Sequence, residues 1–130
     1  MLGTAKKVPQ PDNGMNRLEA RYAQYLELQV KAGQIRAWAY EPVRLKLAKL
    51  TTYTPDFLVE PWQGRPELHE CKGFLREDAA VKLKVAAQRF AMFDFKLVRQ
   101  NRNGSWRITD VPCERLSAPA ASRSSQSQCQ

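Results

Sequence analysis

Apolar residues recur at helical spacing in two segments of the chain. The first predicted helix runs from about Asn16 to Ala32, with Asn16 as a favourable N-cap and Glu19 at the N3 position of a capping box. Its apolar stripe consists of Leu18, Tyr22, Tyr25, Leu26 and Val30. The second predicted helix runs from about Asp78 to Met92, and its apolar face consists of Leu83, Ala86, Ala87 and Phe90.

Six other segments have strand patterns, in which apolar and polar positions alternate or a short apolar run lies between turn residues. They are Ile35–Tyr40, Val43–Leu50, Tyr53–Glu60, Glu67–Lys72, Phe95–Gln100 and Ser105–Thr109. In the second of these, Arg44 and Lys46 lie on the outer face. Because strands and helices are interspersed, we expect an α/β (α+β) fold. It would have a mixed sheet of about five strands flanked by helices, in the order α-β-β-β-α-β-β.

The folded domain is expected to span residues 14–111, since a chain of 130 residues is large enough for one core. Residues 1–13, with Lys6 and Lys7, are predicted to form a flexible basic arm. Residues 112–130 are mostly Ser, Ala and Gln and are predicted to form a disordered tail. No apolar run approaches the roughly 18 residues that a membrane helix needs. We therefore expect a cytoplasmic protein without a membrane partner.

The formal net charge of +8 favours a polyanionic partner, and nucleic acid is the commonest one in cytosol. The three cysteines, Cys71, Cys113 and Cys129, are scattered and include no CxxC pair. Their number and spacing argue against a disulfide framework and against a structural zinc site.

Two short acidic motifs supply the candidate chemistry: Thr54-Pro55-Asp56-Phe57 and Glu70-Cys71-Lys72. On a strand, Glu70 and Lys72 project from the same face, about 7 Å apart. If the two strands that contain these motifs are paired, Asp56 reaches the same place. Two carboxylates can hold a hard divalent cation while an ammonium group stands beside it. This combination indicates metal-dependent hydrolysis of phosphodiesters.

A helix with an early Glu, a strand entry with Pro-Asp, a strand with Glu-x-Lys, and then a helix and a strand follow one another in this chain. This order resembles the PD-(D/E)XK nuclease superfamily over about Asn16–Val98 and is similar to small phage-encoded nucleases and Holliday junction resolvase-like proteins. The resemblance implies a restriction-endonuclease-like core, Mg²⁺ or Mn²⁺ as the metal, and DNA as the partner. It also makes a homodimer one expected assembly and the cytoplasm of a bacterial host the expected location.

The resemblance assigns a role to each site residue. Asp56 and Glu70 match the metal ligands, with the Cys71 backbone carbonyl as a third ligand and Glu19 as the helical acid. Lys72 matches the lysine that orients or deprotonates water, or stabilises charge on the phosphate. Each of these four side chains can also be explained by a purely structural role. Asp56 can be a turn residue, Glu70 and Lys72 can form a surface salt bridge, and Glu19 can be only a capping residue.

Arg76, Lys82, Lys84 and Arg89 follow the motifs and are candidates to bind nucleic acid, or equally to be solvated charges. His69, the only histidine, is expected to face away from Glu70. The leading hypothesis is a Mg²⁺-dependent DNA endonuclease, with branched or junction DNA as a sensible substrate. The alternatives are a non-catalytic nucleic-acid-binding or structural protein with the same fold, and a nuclease that acts on RNA.

Overall fold

The computed structural model describes residues 14–113. The predicted arm at residues 1–13 lies outside this range, as does nearly all of the predicted tail. The described part contains two helices and seven strands. In chain order these are α1 (Arg17–Lys31), β1 (Ala37–Tyr40), β2 (Leu45–Ala48), β3 (Thr51–Tyr53), β4 (Phe57–Glu60), β5 (Glu67–Cys71), α2 (Glu77–Arg89), β6 (Asp94–Gln100) and β7 (Trp106–Asp110).

Five of the strands form one mixed sheet in the spatial order β1-β4-β5-β6-β7. Neighbours are antiparallel except for β5 and β6, which are parallel and are connected through α2. The two helices and these five strands follow the chain in the predicted order α-β-β-β-α-β-β. The predicted α/β class and mixed five-stranded sheet are confirmed.

The strand prediction is wrong for Tyr53–Glu60, whereas the predicted strand Val43–Leu50 contains β2. Tyr53–Glu60 is not one strand, because Tyr53 ends β3 and β4 begins only at Phe57. Pro55 lies between them and has no N–H to donate to a ladder. In addition, β2 and β3 pair antiparallel as a separate two-stranded sheet. This hairpin is inserted between β1 and β4 of the main sheet.

The predicted ends of the first helix are confirmed. The Asn16 side chain accepts a hydrogen bond from the Glu19 amide (2.8 Å), and Glu19 Oε1 accepts one from the Asn16 amide (3.1 Å). These two bonds form the capping box. Gly33 has a φ of +77°, so the chain leaves α1 through the left-handed region that glycine adopts without strain.

Each face of the main sheet is covered by a separate apolar cluster. The cluster on the α1 side includes Tyr22, Leu26, Phe57, Val59, Cys71 and Val98. The cluster on the α2 side includes Leu45, Leu47, Leu68, Leu83, Ala86 and Phe95, so the β2–β3 hairpin packs on α2. Because side chains alternate along β5, Leu68 and Glu70 face the α2 side while Cys71 faces α1.

Two expectations drawn from composition can be compared with the described residues. No helix in residues 14–113 is long and apolar enough to cross a bilayer. Cys113 is disulfide-bonded, although the number and spacing of the cysteines argued against a disulfide framework. A scattered cysteine can still find a partner, because spacing along the chain says nothing about distance in the fold. Cys71, by contrast, is a free and buried thiol.

Candidate active site

A cleft of about 420 Å³ opens on the α2 side of the sheet, at the carboxyl end of β5. Asp56, Glu70 and Lys72 all line it, so the structure brings together three of the four predicted catalytic residues. The rest of the lining comes from the end of β3, the connection before α2 and α2 itself: Tyr53, Thr54, Leu75, Asp78, Ala79, Lys82 and Leu83.

Asp56 is only 7% exposed and lies immediately before β4. The β4–β5 ladder ends with Phe57 opposite His69. Beyond that pair, Asp56 Oδ2 accepts a hydrogen bond from the Cys71 amide at 2.9 Å, so the side chain continues the ladder in place of the backbone. Within residues 14–113, the other oxygen, Oδ1, has no hydrogen-bond partner and is not sealed from solvent. Asp56 is therefore held at one oxygen and available at the other.

Glu70 is equally buried, and both of its oxygens have partners. Oε1 accepts a 2.6 Å hydrogen bond from the Tyr53 hydroxyl, and Oε2 lies 3.2 Å from Lys72 Nζ. The salt bridge between Glu70 and Lys72, which was one alternative interpretation of the sequence, is thus present. It is not a solvated surface pair, however, because the Glu70 carboxylate is buried while the Lys72 side chain is one-third exposed.

The charges in the cleft alter one another's pKa values. Burial, together with repulsion from Glu70, raises the pKa of Asp56 to about 8. Burial also raises the pKa of Glu70, although the Tyr53 hydrogen bond and Lys72 oppose this effect. For Lys72, burial lowers the pKa, but attraction to Glu70 and Asp56 outweighs it and the pKa lies above its ordinary value. The cleft therefore binds protons at a pH where exposed carboxyls do not.

Glu19 approaches these groups from α1 and does not line the cleft. Its Oε1 accepts hydrogen bonds from the Asn16 amide and, at 3.0 Å, from the Tyr40 hydroxyl. Its charge nonetheless contributes to the raised pKa values of Asp56 and Glu70. The capping role of Glu19 is confirmed, whereas its role at a metal stays a prediction.

The donor set decides which ion could occupy the cleft. In the part of the chain that the structure describes, no three His, Cys, Asp or Glu side chains are grouped so as to hold a metal ion. Three acidic side chains line the cleft: the predicted ligands Asp56 and Glu70, and Asp78 in the first turn of α2. The Cys71 carbonyl stays the predicted third ligand. Mg²⁺ is commonly held by one or two carboxylates, with water and substrate phosphates as its other ligands. The residues present therefore fit Mg²⁺ or Mn²⁺.

The four predicted nucleic-acid-binding residues do not line one depression. Lys82 lines the cleft and donates to the Thr52 carbonyl at 3.1 Å. Arg89 lines a separate depression beside the β2–β3 hairpin. Arg76 is the N-cap residue of α2 and is exposed, and Lys84 is exposed outside both depressions. Lys82 and Lys84 diverge because they lie two positions apart on a helix.

His69 lies on the opposite side of the sheet from the cleft, as predicted, and so does the Cys71 side chain. His69 is buried, with Nδ1 2.7 Å from the Tyr22 hydroxyl and Nε2 2.8 Å from Glu67 Oε1. Cys71 is 3% exposed within the α1-side cluster, and burial raises the pKa of its thiol. Neither side chain is available as a nucleophile in the cleft.

Tyr53 lines the cleft and donates to Glu70, and sequence reasoning missed it. On a continuous strand, Tyr53 and Asp56 would lie on opposite faces because they are three positions apart. The interruption at Pro55 brings both to the same cleft. Pro55 indicates that the strand is interrupted, but no pattern in the sequence indicates the direction of the Tyr53 side chain.

No model of a known protein family matches the chain, and no curated protein is similar to it.

Proposed function

We propose that the protein is a metal-dependent DNA endonuclease that hydrolyses phosphodiester bonds in the cleft. The main observation is that the carboxylates of Asp56 and Glu70, both buried, meet the Lys72 ammonium at one opening. Buried like charges are costly unless they are protonated, paired or bound to a metal. The chain around them has a net charge of +8, which attracts a polyanion. A divalent cation and a phosphate backbone would satisfy both features together.

Asp56 and Glu70 would hold Mg²⁺ or Mn²⁺, with the Cys71 carbonyl as a further ligand. Such an ion, when bound, polarises a phosphoryl oxygen and lowers the pKa of a bound water. The chain fixes the ligands in advance, since the Cys71 amide holds Asp56 and the Tyr53 hydroxyl holds Glu70. Ligands with fixed orientations lose little entropy when an ion binds.

Lys72 is best suited to stabilise negative charge on the reacting phosphate. A lysine that acts as a general base needs a lowered pKa, and the pKa of Lys72 is displaced upward by Glu70 and Asp56 despite burial. The side chain therefore enters the reaction as an ammonium group. A preorganised charge at this position assists the transition state without being deprotonated.

The order of the elements supports the same proposal. Glu19 lies on the first helix, Asp56 directly precedes β4, and Glu70 and Lys72 lie at and just after the end of β5. A restriction-endonuclease-like core, a phage origin and a homodimeric assembly belong to this proposal. We take branched or junction DNA as the substrate, because a domain this small has little room for a module that reads base sequence.

The proposal is tested with the full chain on linear, single-stranded, flapped and four-way-junction DNA, in Mg²⁺, Mn²⁺ or EDTA. Cleavage in either metal and its loss in EDTA are expected, with the junction or flapped DNA cut fastest. Asp110→Asn is a matched control for Asp56→Asn, because Asp110 is exposed and is paired with Lys96 outside the cleft.

An absence of cleavage on every DNA substrate, accompanied by DNA binding, would favour the alternative of a non-catalytic nucleic-acid-binding protein. The same substrates made of RNA test the remaining alternative. Cleavage of RNA in preference to DNA would identify RNA as the substrate of the site.

A further inference from the structure

The β2–β3 hairpin turns a basic face to solvent. Leu45 and Leu47 are buried against α2, so the alternation of β2 directs Lys46 outward. Lys49 follows in the turn and is exposed. The hairpin therefore has an apolar side that holds it on α2 and a basic side that remains open.

A depression of about 280 Å³ lies where this hairpin meets α2. It is lined by Lys46, Leu47, Ala48, Lys49 and Arg89, and none of these residues is acidic. Within residues 14–113, none of its three basic residues forms an ion pair. By contrast, Arg65, Lys72 and Lys96 each lie beside a carboxylate. Three cations around one depression without an acidic partner favour an anionic ligand.

The depression is connected to the cleft through β3. Lys46 pairs with Thr52 across the hairpin, which places their Cα atoms about 5 Å apart. The Thr52 carbonyl accepts a hydrogen bond from Lys82, and Lys82 lines the cleft. Tyr53, the next residue, also lines the cleft and holds Glu70. Basic groups therefore extend from the cleft across the hairpin to Arg89.

We propose that these residues form a basic track, defined as Lys82, Lys46, Lys49 and Arg89, that binds the sugar–phosphate backbone of DNA. This inference rests on the proposed function. The DNA backbone bound by the track is the one that continues from the phosphate cleaved in the cleft. Ammonium and guanidinium groups that contact phosphates position a nucleic acid without reading its bases. Binding along the track is therefore independent of sequence and sensitive to salt.

The test measures DNA binding by fluorescence anisotropy in EDTA, where metal-dependent cleavage does not interfere. The double variant Lys46→Glu/Lys49→Glu is compared with Lys31→Glu/Arg36→Glu, which makes the same change in net charge. Lys31 lies in the last turn of α1, twelve positions after Glu19 and so roughly 18 Å along the helix from it. Circular dichroism checks that both variants fold.

The hairpin variant should bind duplex DNA about tenfold more weakly or worse, with a loss of similar size for every sequence tested. The slope of log K against log salt should decrease by about 1.8, since each phosphate contact contributes about 0.9. The control variant should change affinity far less. An equal loss of affinity in both variants would mean that only net charge matters and would overturn the track.

Hydrolysis of bis(p-nitrophenyl) phosphate in Mn²⁺ separates this inference from the proposed function, because so small a diester occupies the cleft alone. The hairpin variant should hydrolyse it at the wild-type rate. If the wild-type protein hydrolyses the diester and the hairpin variant still binds DNA normally, the proposed track is wrong and the nuclease proposal is retained. If the wild-type protein hydrolyses neither the diester nor DNA but the hairpin variant loses binding, the track stands as a nucleic-acid-binding face and the nuclease proposal fails.

Discussion

The hydroxyl of Tyr53 donates a 2.6 Å hydrogen bond to Oε1 of Glu70 and so joins the end of β3 to the end of β5. Burial, and next the charge of Glu70, raises the pKa of Tyr53, so the hydroxyl stays protonated and acts as the donor. The same bond lowers the pKa of Glu70 and partly offsets its burial. The hairpin thus helps to keep a carboxylate of the cleft ionised, which metal binding requires.

Tyr53→Phe should move metal-dependent cleavage to higher pH. Without the hydroxyl, Glu70 holds its proton more tightly, and metal must compete with that proton. A hydrogen bond to a charged group contributes roughly 1.5 kcal/mol or more, so the rate at neutral pH should fall about tenfold or more. Alkaline pH should restore much of it. The pH–rate profile of the variant is the measurement.

Tyr25→Phe is the control for Tyr53→Phe, because Tyr25 packs beside Trp106 in the α1-side cluster, away from the cleft. Its profile should match that of the wild-type protein. If Tyr53→Phe also leaves the profile unchanged, the hydroxyl does not influence the ligand carboxylate.

Asp56 should make the metal-free protein less stable as the pH rises. Its pKa is about 8 in the folded chain against an ordinary value of 3.8, so folding takes up a proton between those values. The stability provided by the neutral carboxyl is complete below about pH 4 and is lost as the pH rises through about 8. In EDTA, the melting temperature should therefore fall between about pH 5 and pH 9. Asp56→Asn should reduce that fall, whereas Asp110→Asn should not.

Asp56→Asn should also abolish cleavage while fold and DNA binding survive. The amide oxygen can still accept the bond from the Cys71 amide, but the charge that attracts a cation is gone. Mg²⁺ should raise the melting temperature of the wild-type protein and not that of the variant, because only a ligand bound to the folded state stabilises it. Full cleavage by the variant would remove Asp56 from the proposed site.

Local patterns in the sequence were sufficient for α1 and for the face of β5 that bears Glu70. The capping box of Asn16 and Glu19 depends on residues three apart, and alternation depends on residues two apart. Both relationships are fixed by backbone geometry, so they can be predicted without knowledge of the fold. The meeting of Asp56 with Glu70 additionally required two strands to pair, which the motif order indicated and the β4–β5 ladder provides.

The hairpin could not be predicted in the same way. Alternation indicates that residues 43–50 can form a strand, but it does not say which strand is the partner, and β2 pairs with β3 rather than with the main sheet. For the same reason, the contact of Tyr53 with Glu70 and the contact of Tyr40 with Glu19 could not be predicted from the sequence. Both contacts depend on tertiary packing between segments that are distant along the chain.

Lys72→Ala should lower the cleavage rate at least a hundredfold, which is about the low end for a positioned electrostatic group. Metal binding measured by calorimetry should survive, since an ammonium group is not a ligand. Lys96→Ala is the matched control, because Lys96 forms a comparable ion pair with Asp110 outside the cleft. If Lys72→Ala loses metal binding together with activity, Lys72 serves mainly to hold Glu70 in place.

Glu19→Gln separates the capping role of Glu19 from its predicted role at the metal. Glutamine still offers Oε1 to the Asn16 amide and the Tyr40 hydroxyl, so the melting temperature should stay unchanged. Cleavage should nevertheless fall, because the variant removes a carboxylate whose charge acts on Asp56 and Glu70. Glu19 does not line the cleft, so the loss should be smaller than that of Asp56→Asn. An equally deep loss would make Glu19 a direct ligand, and wild-type cleavage would leave it as a capping residue alone.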